Sequence, residues 1–235
     1  LASPTFTGTI SGNGSGLTGL NASQLTSGTV PSSVLGNTWL QGGNSGTTPG
    51  TDFIGTTDSQ ALEFKVNGAR AFRLEPTTNS PNVIGGSSGN YIASGVYGAT
   101  ISGGGNIDLG LTNSIYASSA TIGGGKGNLI EAEALNGTIA GGYGNAILYN
   151  ADRATIGGGD RNQVQTNSLR SVISGGLQNV ISNDSAYTVI SGGRGNLIGT
   201  NSDYSTIGGG YQNQVGNGIA GSVYSTVAGG SNNVC

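Results

Sequence analysis

From Val83 onward the apolar side chains return on a fixed long beat, with neither a helical period nor simple alternation. Ile84, Ile101, Ile122, Ile139, Ile156, Ile173, Ile190, Ile207 and Val227 follow one another at steps of 17, 21, 17, 17, 17, 17, 17 and 20 residues. A step this short, expanded at two places only, marks a stacked-coil architecture in which each repeat is one rung. Taking this Ile/Val as position zero, position +8 holds a second apolar column: Ile92, Ile130, Ile147, Val164, Ile181, Ile198, Val215 and Cys235. Most of these are stiff β-branched side chains suited to a pleated, half-buried surface. Position −1 is Thr or Val in every coil, from Val83 and Thr100 to Thr206 and Thr226. Neighbouring strand residues face opposite ways, so positions −1 and zero cannot share a face.

Between the two columns lies a turning segment. Positions +1 to +3 are nearly all Gly, with Ser or Ala at +1 in several coils, as in Ile122-Gly123-Gly124-Gly125. Such a run would ruin an isolated strand, but it fits a corner where φ turns positive or backbones approach closely. Position +6 is Asn at Asn90, Asn128, Asn145, Asn162, Asn179, Asn196, Asn213 and Asn233; the second coil departs, with Asn106 at +5. Stacked Asn at a turn is expected to use the left-handed region and to bond local backbone. Positions +4 and +5 vary freely (Lys126-Gly127, Asp160-Arg161, Leu177-Gln178, Tyr211-Gln212) and are expected to face solvent.

The expected fold is therefore all-β: a β-solenoid or β-roll of about nine 17-residue coils, each with two short strands and two corners. Stacked at roughly 4.8 Å, nine coils make a rod of about 43 Å. So thin a rung leaves its second apolar column in need of a partner. Position −1 or zero is expected to face other copies, around a threefold axis that closes a repeated heterologous contact into a ring.

The first 80 residues follow other rules. Residues 1–37 are Thr, Ser and Gly broken by single apolar residues and read as an extended shaft. Residues 38–80 read as a small hairpin module, followed by the repeat domain at 81–235. Its alternating runs Ala61–Val66 and Ala69–Leu74 flank Asn67-Gly68, a strong hairpin signal. Two registers compete. A two-residue turn, preferred on turn chemistry, opposes Phe64 to Ala71 and Leu62 to Arg73; a three-residue loop opposes Phe64 to Phe72 and Leu62 to Leu74.

These segments carry resemblances. LASPTFTGT at 1–9 resembles a phrase of bacteriophage tail-fibre shafts, and SGNGSGLTGLNASQLTSGTVP at 11–31 resembles a segment that often follows in fibre-like surface proteins. The stretch FIGTTDSQALEFKVNGARAFRLEP at 53–76 resembles a module of tail-fibre proteins, often found upstream of an endosialidase-type intramolecular chaperone. The coil region is similar in logic to the heads of trimeric autotransporter adhesins, although those have a shorter step and lack the GGxxN phrase. The resemblance implies a thin threefold fibre on a virion or cell surface.

Composition narrows the functions available. Gly supplies 47 of 235 residues and charged residues only 8%, yet the strict β-branched register argues for order from Val83 onward. Net charge is −3 with only eight Lys and Arg, too few for a surface that neutralises many phosphates, so nucleic acid is not an expected partner. There is no run of 18 apolar residues and no basic-then-apolar start, so neither membrane insertion nor an export signal is read here. A chain that starts without Met and stops inside a repeat reads as a piece of something longer. Cys235 cannot form an internal disulfide, and at +8 it is expected to be a buried free thiol.

Catalytic chemistry finds little to work with. The absence of His removes the commonest general base, the usual triad and most transition-metal sites. Glu131 and Glu133 could cleave glycosides only if a cleft held them at the right separation; a solvated edge is the reading preferred. Gly123–Gly127 with Lys126 lacks the spacing of a phosphate loop, and no Asp column recurs for calcium. Asn13, Asn21, Asn136 and Asn183 open Asn-X-Ser/Thr triplets that turn-rich sequence produces by chance. No enzyme activity, cofactor or metal is expected.

What remains is surface. Lys126, Tyr143, Asp160, Arg161, Arg194 and Tyr211 sit at the variable corners, and the two expanded connections, 106–119 and 216–222, should protrude from the rod. The expectation is an extracellular structural and adhesive segment: a homotrimeric spacer that touches a host-surface glycan or protein receptor. A bacterial adhesin head, a single-chain solenoid binding glycan or ice through its Thr face, and a polysaccharide-cleaving spike are the alternatives.

Overall fold

The computed structural model describes residues 38–40, 42–216 and 221–235, and the shaft read at 1–37 lies outside them. The chain divides into two units, Leu1–Ile54 and Gly55–Cys235. In the described part of the first, local turns are held by side chains: Asn44 Nδ2 donates to Thr38 O, and Asp52 Oδ2 accepts from Thr48 N at 2.8 Å.

The second unit opens with β1 (Leu62–Val66) and β2 (Ala69–Glu75), an antiparallel pair. Asn67 at φ 50° and Gly68 at φ 76° are both left-handed, the requirement of a tight two-residue turn, and Val66 lies opposite Ala69. Past Lys65–Arg70 the register shifts, so that Ala71 is the extra residue of a bulge and Phe64 opposes Phe72. Leu62 then faces Leu74, and the two Phe rings sit 6.0 Å apart. The preferred two-residue turn is thus present, but the pairings read with it, Phe64 with Ala71 and Leu62 with Arg73, are not; beyond the bulge the pairings are those of the alternative register. Turn chemistry sets the turn, and collection of apolar residues on one face sets the register beyond it.

β2 pairs antiparallel with β3 (Asn82–Gly85), and β3 begins the parallel stack. From there each coil contributes two residues to each of two sheets. The first runs from β3 through Thr100–Ile101 to Thr226–Val227, and the second from Tyr91–Ile92 to Gln214–Val215. Among the described residues the fold is all-β, a solenoid of about eight turns. Zero pairs with zero and +8 with +8 along the stack, as in Ile156 with Ile173 and Val164 with Ile181.

Both Ile/Val columns point inward and join one buried cluster, with Ala99, Ala120, Ala134, Ala151 and Ala154 closing the longer corner. Twelve of the Ile residues in this stack are fully buried. Position zero therefore faces its own chain's +8 column, not another copy, which corrects the expectation for that column. The rung is two strands thick, just enough for one Ile from each side. Position −1 faces outward and is half-buried, as is +7 in most coils.

The Asn column is placed as predicted and bonds local backbone, as Asn162 Nδ2 does to Gly158 O at 2.9 Å, but it does not use the left-handed region. Asn128 to Asn213 are buried, and none has positive φ. The left-handed residue is the one before, at +5: Gly127, Gly144, Arg161, Gln178, Gly195, Gln212 and Asn232. In the second coil the column is filled by buried Asn113, not Asn106. Asn106 instead closes a small loop with Leu111 that carries the extra residues outward. Cys235, expected to be buried, is exposed, because no coil covers it in the chain described.

Candidate recognition edges of the rod

Each coil presents two edges, one made by +2 to +6 and the other by +9 to −3. On the first, position +4 forms a third ladder of parallel bridges: Lys126–Tyr143–Asp160–Leu177–Arg194–Tyr211–Ser231. The +4 N–H donates to the +3 carbonyl of the next coil, as from Lys126 N to Gly142 O at 3.0 Å. The left-handed +5 residue reverses the sense, and Arg161 N donates back to Tyr143 O at 2.8 Å. In the second corner, left-handed residues at +11 and −3 likewise donate backward, as Asn167 N does to Tyr149 O and Arg170 N to Asp152 O. A positive φ turns the peptide over, and each flip ties a corner to the coil below.

This geometry excludes a phosphate cradle at Gly123–Gly127. The N–H groups of Gly123, Lys126 and Gly127 are already spent on Ile139, Gly142 and Leu111 carbonyls.

All six side chains singled out from the sequence lie on the first edge, in two groups. Lys126 Nζ and the Arg161 guanidinium sit over the Tyr143 ring, 5.3 and 4.9 Å from its centroid, and Arg161 pairs with Asp160 at 3.4 Å. Two coils further, Arg194 lies 5.8 Å from the Tyr211 centroid, with Leu177 between the groups. Contacts of this kind are worth about 0.5–1 kcal/mol at exposed sites and hold flexible cations in place.

The second edge carries a column that sequence reasoning passed over. At position −3 stand Arg153, Arg170, Tyr187, Tyr204 and Tyr224, all left-handed. The three Tyr rings stack at 5.1 Å with interplanar angles of 9° and 11°, and the Arg170 guanidinium lies 5.2 Å from Tyr187 and donates to its hydroxyl. The signal was present: these Tyr recur at steps of 17 and 20, the steps of the Ile column. Because the rings cover one another's faces, the stack offers ring edges and hydroxyls outward instead of a flat platform.

Around the column are Glu131, Glu133, Asp152, Asp184 and Asp203. Glu131 Oε2 accepts from Tyr149 N at 3.0 Å, Asp203 Oδ1 from Ala186 N at 2.7 Å, and Asp152 pairs with Arg153 at 2.8 Å. Glu133 occupies a left-handed corner and is exposed. Glu131 thus holds one coil to the next. A shallow depression of about 370 Å³ beside it is lined by Tyr116, Leu129, Ala132 and Tyr149, with no second carboxylate. Among the described residues no group of three or more His, Cys, Asp or Glu could hold a metal ion.

Fold and surface together define a two-sheet parallel β-solenoid of 17-residue period with variable side chains on its edges. Comparison of the chain with family models, with characterised proteins and with solved structures gives no match.

Proposed function

We propose that the chain is a segment of a structural and adhesive fibre, a homotrimeric extracellular rod that acts as a rigid spacer on a virion or cell surface. The surface that the assembled rod leaves exposed is offered to a host glycan or protein. The observation that carries this reading is the pair of outward stripes. Position −1 (Thr121, Thr138, Thr155, Val172, Val189, Thr206) and position +7 (Leu129, Ala146, Gln163, Val180, Leu197, Gln214) hold no charged residue, and all are half-buried in the single chain. A sheet face meant for water alone normally alternates apolar-in with polar or charged-out. Uncharged stripes bearing Leu and Val along a regular stack are suited to packing against sister copies.

Light scattering on the full 235-residue chain tests this, with an expected mass three times the chain's 23.1 kDa. A stable monomer across micromolar concentrations rejects it. That result would favour a second reading, a single-chain solenoid whose outward Thr100, Thr121, Thr138 and Thr155, paired coil to coil, bind an ordered ligand such as ice or a glycan.

A further inference from the structure

We infer that the two edges of the rod are complementary, so that the basic, tyrosine-bearing edge of one copy docks on the acidic edge of the next. This rests on the trimeric reading above and names its contact surfaces. From Ile122 to Val215 the first edge carries Lys126, Arg161 and Arg194 against the single carboxylate of Asp160. The second carries Glu131, Glu133, Asp152, Asp184 and Asp203 against Arg153 and Arg170. Summed along the stack, the first edge is net positive and the second net negative, and the sorting is complete in the coils that carry Lys126 and Arg194.

Side-chain preparation points the same way. Tyr143 holds Lys126 and Arg161, and Tyr211 holds Arg194, so the cations lose less freedom on docking. Tyr and Arg are also the side chains enriched where association energy concentrates.

Symmetry then sets the pairing. An isologous contact through either edge would bring like charges together, whereas a heterologous contact brings first edge to second and closes into a ring. Ring closure keeps every copy at one height. At equal height Lys126 shares its coil with Glu131 and Glu133, and Arg194 shares its coil with Asp203. Arg161 shares its coil with Arg170, the one like-charge meeting at equal height, and is flanked by the coils of Asp152 and Asp184.

The test uses the full chain and three variants. One reverses the first edge (Lys126→Glu, Arg161→Glu, Arg194→Glu); one reverses exposed carboxylates of the second (Glu133→Lys, Asp184→Lys); the third combines both sets. Assembly is followed by sedimentation velocity at low and at 0.5 M salt, with circular dichroism and thermal melting to establish that each variant is folded. Each single-edge variant is expected to dissociate at concentrations on the order of 100-fold higher than the parent, and the combined variant to regain assembly. The parent should weaken with salt. If the parent is a trimer and the folded single-edge variants assemble as it does, edge complementarity is overturned while the trimer stands. Complementarity is equally overturned if the combined variant is folded but fails to recover. A monomeric parent overturns both.

Discussion

Asn162 tests the internal ladder most directly. Its Nδ2 donates to Asn145 Oδ1, Gly158 O and Gly176 O at 3.2, 2.9 and 3.0 Å, and its Oδ1 accepts from Asn179 N and Nδ2 at 3.0 and 3.1 Å. In Asn162→Ala two groups lose their only protein partners, the buried Asn179 N–H and the half-buried Gly158 carbonyl. Gly176 O keeps Asp160 N, and Asn145 Oδ1 keeps the backbone N–H of residue 162. At about 1–3 kcal/mol for the stranded buried N–H and less for the half-buried carbonyl, the loss is about 2–4 kcal/mol.

The comparison is Ile156→Val in the apolar column, for which about 0.5–1.5 kcal/mol is expected. Urea unfolding followed by circular dichroism ranks the two variants. A linear array need not unfold in one step, so amide exchange in the flanking coils must localise the damage. Asn162→Asp adds a pH signature. Burial against two carbonyls and the Asn145 oxygen raises the folded carboxyl's pKa above its unfolded value, so this variant is most stable below the unfolded pKa and loses stability as pH rises through the folded one. If Asn162→Ala costs no more than Ile156→Val, the Asn ladder is not what closes this corner.

Two further outcomes follow from the corners. Gln178, exposed at φ 57°, donates its N–H to Asp160 O at 2.8 Å. Gln178→Val should cost about 1–2 kcal/mol in thermal or urea unfolding, while Gln178→Gly keeps or improves stability; equal losses would mean that the left-handed backbone does not govern this position. Gly159 has φ 92°, and an added Cβ would lie 2.1 Å from Gly176 O, so Gly159→Ala should cost about 2–5 kcal/mol. At Gly141 the nearest atom to an added Cβ is 3.8 Å away, and Gly141→Ala measured alongside should change stability by no more than about 0.5 kcal/mol.

The apolar beat was legible because a column of stiff side chains repeated at one period can sit only on one line of a stack. Two strands per coil, a packed +8 column and solvent-facing +4 side chains come from that period; which of −1 and zero turns inward did not, because a period of 17 places both on lines of the stack without saying which line meets +8. The residue that bends the chain was not legible. Asn at +6 carries a turn residue's identity, and only the coordinates place the flip one residue earlier, where Arg161 and Gln178 have no such preference. Asn is retained at +6 for its amide, which has both a donor and an acceptor to pass along the stack. The second coil misled for a related reason: counting from Ile101 puts Asn106 near the right place, whereas the extra residues enter before the rung Asn and carry it to Asn113. At the edges, Lys126 and Tyr143 stand out within their own coils. Tyr187, Tyr204 and Tyr224 become visible only when position −3 is followed from coil to coil.

The sealed interior changes what would hold copies together. A shaft whose chains have almost no core of their own is stable only as an assembly, so its folding and trimerisation are one event. Here Ile from both sheets closes the core within one chain, and the corners are tied by backbone bonds to the coils above and below. In the proposed trimer, association would be left to the uncharged outer stripes and the charged edges, so the rod region should survive as a folded monomer when those contacts are broken. The circular dichroism of the edge-reversed variants bears on this directly. Retained β signal at monomeric mass separates a rod that trimerises after folding from one that folds only as a trimer, and loss of both together would place the decisive burial between chains.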